Sequence, residues 1–399
     1  MPARRHGLGA GNAFLGKALK DPMGAKGLKI GVTCYPTWGG SGIVATELGL
    51  SLAERGHEIH FITQAVPIRL KRFSENVFFH EVETHDYPVF LHSPYTLSLA
   101  AKMTEVASYY NLDMLHVHYA IPHAIAAYLA KQMMSDRRLP SVVTLHGTDI
   151  TLVGVEPSFQ SVTKFAIEQA DAVTAVSEFL KKVTRESFET EKEITVIPNF
   201  VDAERFSPKR DENMRRMFAP DDEVIIAHAS NFRPVKNIRT VVEVFFRIQR
   251  LMPARLMMIG DGPERVVAEK LARCVGIGHL VKFLGSQENM EDLLPIADVF
   301  LLPSEHEGFG LAALEAMSAE TAVVATNVGG LSEFIESGRN GFLADPQDVD
   351  KMTEIVSELL SNPSLRGDIG RRGRETVLDL FSKDKIVRIY ENLYERLCE

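Results

Sequence analysis

The sequence predicts an α/β protein of two doubly wound parallel-sheet domains that face each other across a cleft. Three observations predict it. The chain has 399 residues, 45% of them hydrophobic, which exceeds what one hydrophobic core usually supports and is ample for two. From Leu28 onward, short β-branched runs alternate with helix-length amphipathic segments, the pattern of a parallel sheet covered on both faces. The alternation pauses at 194–208, where a short strand runs into prolines and polar residues, and then starts again. A domain boundary belongs there.

Residues 1–27 stand outside this pattern. Their glycines and basic residues show no sustained periodicity, and the segment is read as a disordered extension, either an expression remnant or a stretch upstream of a start near Met23. The first domain, 28–203, takes its strands from LKIGVTC, EIHFIT, VFFHEV, MLHVH, SVVTLH and DAVTAV, with helices beginning near Gly42, Leu97, Pro122 and Ser158. The second domain, 204–381, takes VIIAHAS, RLMMIG, VKFLG, DVFLLPS, AVVAT and NGFLA as strands, each followed by a helix signal. Residues 382–399 read as one more amphipathic helix, expected to pack back on the first domain. Ligands of such sheets lie at the carboxyl ends of the strands, here in the cleft.

Composition removes several function classes. With 44 basic and 53 acidic residues the formal charge is -9, which disfavours nucleic acid as a partner. No uncharged apolar run has the length of a bilayer crossing and nothing resembles a cleavable secretory signal, so no membrane span is expected and a cytoplasmic location is the default. Cys34, Cys274 and Cys398 are odd in number and distant, without CxxC spacing. Reduced thiols fit better than a disulfide framework or a zinc cluster. A homo-oligomer is compatible with this composition, as is a monomer.

Chemistry concentrates where strands end. The first strand runs into GGSG, placing Gly39, Gly40, Ser41 and Gly42 ahead of an amphipathic helix, where close backbone amides and the helix N-terminus suit a diphosphate. In SEHEGFGLAALEAMSAE, seven residues separate Glu307 from Glu315. A helix starting at Leu311 leaves Glu307 in the preceding loop and Glu315 one turn in, with amides of Gly308, Phe309 and Gly310 exposed between two carboxylates that can hold sugar and ribose hydroxyls. Arg233 and Lys236 in SNFRPVKN follow the first strand of the second domain, where fixed cations can neutralise a pyrophosphate leaving group as Mg²⁺ does in other transferases. His116, His118, His123 and His146 cluster near the cleft without a clear third ligand, so no metal is expected. The DVD at 348–350 begins a helix and reads as a cap.

The order GGSG, LHGTD, VIPNFVD, SNFRPVK, GDGPE, ADVFLLPS and EGFGLAALEAM resembles the family 4 retaining glycosyltransferases of the GT-B fold, two Rossmann-like domains around a nucleotide-sugar cleft, over nearly the whole chain after Leu28. The resemblance implies that Glu315 binds ribose, Glu307 the transferred sugar, Lys236 and Arg233 the diphosphate, and that His146 lies beside the donor sugar and the forming bond. The family usually has an arginine where Asn231 stands, so Arg233 takes that role by transfer. CYPTWGGSGIVATELG, HVHYAIPHA and TLHGTDIT resemble a subgroup that uses UDP-N-acetylglucosamine and L-malate at the first step of bacillithiol biosynthesis. A small dianionic acceptor needs a cation and hydroxyls near the first-domain strand ends, where Arg69, Tyr119 and Thr148 stand. The expected mechanism is front-face transfer with retention and without a cofactor. Another family 4 acceptor (an inositol phosphate or a glycan) and a UDP-sugar epimerase on the same fold remain alternatives.

Overall fold

The computed structural model describes residues 27–70, 74–84, 93–134 and 136–399. The extension read at 1–27 lies, apart from Gly27, outside the described residues. The first sheet has seven parallel strands, β1 (Lys29–Thr33), β2 (Glu58–Thr63), β3 (Val77–Glu81), β4 (Met114–His118), β5 (Ser141–Leu145), β6 (Ala172–Ala175) and β7 (Ile194–Val196), in the order β3-β2-β1-β4-β5-β6-β7. Helices α1 (Gly40–Glu54), α2 (Tyr95–Tyr110), α3 (Ile125–Met133), α4 (Thr148–Thr151), α5 (Gln160–Gln169) and α6 (Glu178–Phe188) connect them. The order reverses between β1 and β4, so the loops after these two strands open onto the crevice.

The second sheet repeats this plan. Its six parallel strands, β8 (Val224–Ala229), β9 (Ala254–Ile259), β10 (Val281–Gly285), β11 (Val299–Leu302), β12 (Ala322–Thr326) and β13 (Phe342–Ala344), run in the order β10-β9-β8-β11-β12-β13. The reversal lies between β8 and β11. Around the sheet stand α7 (Glu212–Phe218), α8 (Ile238–Ile248), α9 (Arg265–Cys274), α10 (Met290–Leu293), α11 (Leu311–Ser318), α12 (Val349–Ser361) and α13 (Pro363–Leu380). This is the GT-B architecture. Among the described residues no helix is long and apolar enough to cross a membrane.

One local detail differs from the sequence reading. The helix placed near Pro122 becomes regular only at Ile125, after a five-residue turn at Ala120–Ala124. The cause is Ile121, which precedes a proline and is extended at φ -127° and ψ 137°, because proline excludes its neighbour from the helical region. The last helix, α14 (Lys383–Cys398), leaves the second domain and returns to the first. Its Ile386, Val387, Tyr390 and Tyr394 are buried with Ile30, Leu48, Leu52 and Phe61, and the Tyr394 hydroxyl lies 2.7 Å from Nδ1 of His116 on β4.

Candidate functional site

A cavity of about 520 Å³ lies between the domains. The thirteen residues that the sequence assigned to catalysis or substrate binding border it, Gly40, Ser41, Arg69, Tyr119, His146, Thr148, Arg233, Lys236, Glu307, Gly308, Phe309, Gly310 and Glu315, whereas Gly42, His116, His118 and His123 are not among its lining residues. The contributions differ in kind.

On the first-domain side, α1 begins at Gly40 with no side-chain cap from Gly39, so its leading amides remain free for an anion. A β-carbon at Gly40 would meet nothing within 4 Å, whereas one at Gly42 would lie 2.3 Å from the Tyr35 carbonyl oxygen. Gly42 therefore permits the tight turn and Gly40 faces open space. Burial raises the pKa of the Tyr119 hydroxyl, and the neighbouring side chains of Ser41 and Thr148 act to lower it, so three hydroxyl-bearing residues stand together at the mouth of α1. Asp149, whose role the sequence reading missed, holds this region together. Its carboxylate is 1% exposed and accepts from the amides of Ala120 at 3.0 Å, His146 at 3.1 Å and Gly147 at 3.0 Å. An aspartate two residues beyond a post-strand glycine is the available sequence signal for such an anchor.

The histidines form a packed, neutral group. His118 Nδ1 lies 2.8 Å from His146 Nε2, His116 Nε2 lies 2.7 Å from the Thr144 hydroxyl, and the His116 and His118 rings stack at 4.4 Å. With both His116 nitrogens engaged inside the fold, it has no lone pair to offer a metal. Burial, with a smaller contribution from His123, pushes His146 down to about 3; it presents a neutral ring to the cavity. Burial likewise pushes His116 to about 3 and His123 to about 4.

A pH dependence follows. The unfolded chain binds protons near pH 6.5 while these rings do not, so their contribution to stability is fully present above about pH 6.5 and is lost as pH falls toward the folded values. Asp149 acts in the opposite sense, because burial raises it to about 6 and its contribution is lost as pH rises through that value. The expected result is a thermal midpoint that climbs between about pH 4 and pH 6.5, measured by melts across a buffer series. A flat midpoint would show that the rings protonate within the fold.

On the second-domain side, β8 delivers Asn231, Arg233 and Lys236. The Asn231 side-chain oxygen is buried and has no hydrogen-bond partner among the described residues, although it borders the cavity. Arg233 is exposed and near enough to the Tyr119 hydroxyl to act on it electrostatically. It has no carboxylate partner among the described residues. Lys236 Nζ lies 2.5 Å from Glu307 Oε1, which also accepts from the Ser304 hydroxyl at 2.9 Å. Gly310, at φ 101°, turns the chain into α11, whose first amides have no side-chain cap. Phe309 offers only backbone, since its ring is 4% exposed and packs 5.1 Å from Phe334 and 5.7 Å from Phe381.

Arg69 departs furthest from the sequence expectation. The residue borders the cavity, but its guanidinium is already shared between Glu47 and Glu315, at 3.0 Å each. Arg205, also missed, donates to Glu47 at 2.9 Å and pairs with Glu291 at 3.0 Å. No local pattern announces these contacts, because the partners are far apart in the chain. Asp348 accepts from the Lys351 amide at 2.9 Å as the cap of α12, and Asp350 pairs with Arg247.

Comparison with known proteins agrees with this geometry. A model of Glycosyltransferase Family 4 matches residues 38–205, and a model of Glycosyl transferases group 1 matches residues 209–376. The chain is 47% identical over 369 residues to N-acetyl-alpha-D-glucosaminyl L-malate synthase of Bacillus anthracis, covering 92% of this chain and 96% of that one. It is 30% identical over 377 residues to an uncharacterized glycosyltransferase of Methanocaldococcus jannaschii, covering 90% and 95%. Among solved structures, sucrose-phosphate synthase from Thermosynechococcus elongatus superposes with a TM-score of 0.78 at 22% identity over 93% of this chain and 99% of that one. HepE of Anabaena in complex with UDP-glucose gives 0.77 at 20% identity over 92% and 100%. At these identities the two structures speak to the fold alone.

Proposed function

Because the chain belongs to the family 4 glycosyltransferases, we propose that it transfers N-acetylglucosamine from UDP-N-acetylglucosamine to L-malate with retention at the anomeric carbon, the first step of bacillithiol biosynthesis. The observation that carries this reading is the likeness to the Bacillus anthracis synthase along almost the full length of both chains. The cleft supports it with two uncapped helix N-termini, one from each domain, set about the same cavity.

In this mechanism the donor diphosphate lies against Arg233, Lys236 and the first amides of α11, which neutralise charge as UDP departs. Glu315 accepts from the ribose hydroxyls and Glu307 from the sugar. The malate carboxylates lie at the α1 N-terminus with the hydroxyls of Ser41, Tyr119 and Thr148, and the exposed Arg233 supplies the nearby cation. Neutral His146 hydrogen-bonds beside the sugar. The bond from the anomeric carbon to phosphate oxygen breaks on the face where the malate hydroxyl attacks, and the departing phosphate oxygen takes the malate proton. Alignment of both substrates is the main contribution of the protein. Fixed cations perform the charge neutralisation, so no metal is required, and the compartment is the cytoplasm.

The test is an assay of UDP release with mass detection of product, with UDP-N-acetylglucosamine, with and without malate, in EDTA. The expected result is malate-dependent release of UDP with stoichiometric N-acetylglucosaminyl malate, unchanged by chelation. Turnover with an inositol phosphate but not malate would replace the acceptor. A changed sugar released without acceptor would indicate an epimerase, and a rate restored only by Mg²⁺ would overturn the metal-free mechanism.

A further inference from the structure

Five alternating charges run across the domain boundary. Glu291 on α10 pairs with Arg205, Arg205 with Glu47 on α1, Glu47 with Arg69 beyond β2, and Arg69 with Glu315 on α11. Both arginines also lie over the Phe206 ring, at 5.6 Å and 5.5 Å. Arg69 has an 8% exposed side chain and Glu315 a 6% exposed one, so this contact is formed out of water. Arg69 adopts φ 75°, a conformation costly for a non-glycine residue and sustained only where the surroundings impose it.

The charge count argues against an anionic ligand on Arg69. Its single guanidinium already faces two carboxylates, and a dianion brought there would add to an uncompensated negative charge. A neutral diol meets no such penalty. Arg69 Nη2 occupies Oε1 of Glu315; among the described residues, no hydrogen bond occupies Oε2. Both residues border the main cavity and also a narrow recess beside Glu47 and Phe206.

We infer that Arg69 is a donor-side positioning residue, which holds one oxygen of Glu315 so that the other meets the ribose hydroxyls, and which ties nucleotide binding to the apposition of the two domains. This rests on the proposal that a UDP-sugar occupies the cleft. Arg69 comes from the first domain and Glu315 from the second, so the first domain orients a ribose contact carried by the second. Burial raises the Glu315 carboxyl above its ordinary value, and Arg69 is the chief influence in the other direction.

The experiment is a double-mutant cycle on the full chain, with UDP affinity read by calorimetry for the unmodified protein, Arg69→Met, Glu315→Gln and the combination. Arg69→Met is expected to weaken UDP about tenfold, and to have almost no further effect once Glu315→Gln is present. Its KM for malate should stay near that of the unmodified chain. Arg69→Lys keeps the charge but not the two-pronged geometry, so it weakens UDP in the same direction and carries the cycle if the Met variant melts early. The groups facing Glu315 are Arg69, Glu47 and Arg205; without Arg69 its carboxyl takes up a proton at higher pH, so UDP affinity of the Met variant falls with falling pH while the unmodified chain is still unaffected. Unchanged UDP affinity with a raised malate KM would overturn the inference and return Arg69 to the acceptor. Equal losses on both backgrounds would also overturn it. Failure of the unmodified chain to bind UDP would remove the donor proposal itself, and the inference with it.

Discussion

Lys236→Ala lowers kcat by about 10²- to 10³-fold, the usual cost of removing one fixed group that stabilises developing charge. Lys236 Nζ is 2.5 Å from Glu307 and its side chain is 19% exposed, so it is positioned before substrate arrives. The substitution removes a cation from the leaving group and leaves Glu307 with Ser304 as its remaining donor. These two consequences separate experimentally. Adding Glu307→Gln relieves the unpaired carboxylate and recovers thermal stability without recovering turnover. Single-turnover rates for both variants provide the check, and a kcat within about threefold of the unmodified value would remove Lys236 from the chemistry.

Gly308→Ala reduces kcat/KM by about 10²-fold while leaving both sheets intact. A β-carbon there would lie 2.4 Å from the His146 carbonyl oxygen and 3.4 Å from the Gly147 α-carbon, across the cleft in the first domain. On the other side, the Gly308 carbonyl accepts from the Ser177 hydroxyl at 2.7 Å, and a β-carbon at Gly330 would lie 2.6 Å from that same oxygen. The loop cannot step sideways, so the domains must part by about 1 Å, a displacement that costs about 10²-fold when reacting groups must align. Steady-state kinetics beside a thermal melt measures this. Unchanged kcat/KM with the same midpoint would mean that the cleft reacts in a wider state.

Most strands were legible because buried parallel strands are continuous apolar runs, and the doubly wound plan they imply puts ligands at the strand carboxyl ends. The cleft residues were legible where glycines and charges follow a strand directly, as at Gly40 and Lys236. Pairings set by the third dimension were not. Arg69 reads as a loop cation until Glu315 is brought to it from 246 residues away, and Arg205 reads as a linker residue until Glu47 and Glu291 meet it. Phe309 sits in a motif that suggests a ligand contact, but its ring is claimed by Phe334 and Phe381, which no local spacing reveals. The turn before α3 yielded to a rule of backbone sterics rather than to hydrophobic period.

The return of α14 to the first domain bears on how the molecule is made. Tyr390 and Tyr394 complete a core begun by Ile30 and Val32, yet the ribosome adds them after the entire second sheet. Chains usually acquire structure from the leading end during synthesis. Here the leading domain emerges with an apolar face open, and it stays open until the following domain has been translated. Vectorial folding is therefore inverted for this core: the domain synthesised first is finished last. A fragment spanning residues 28–203 would lack one wall, which residues 383–398 supply in the full chain.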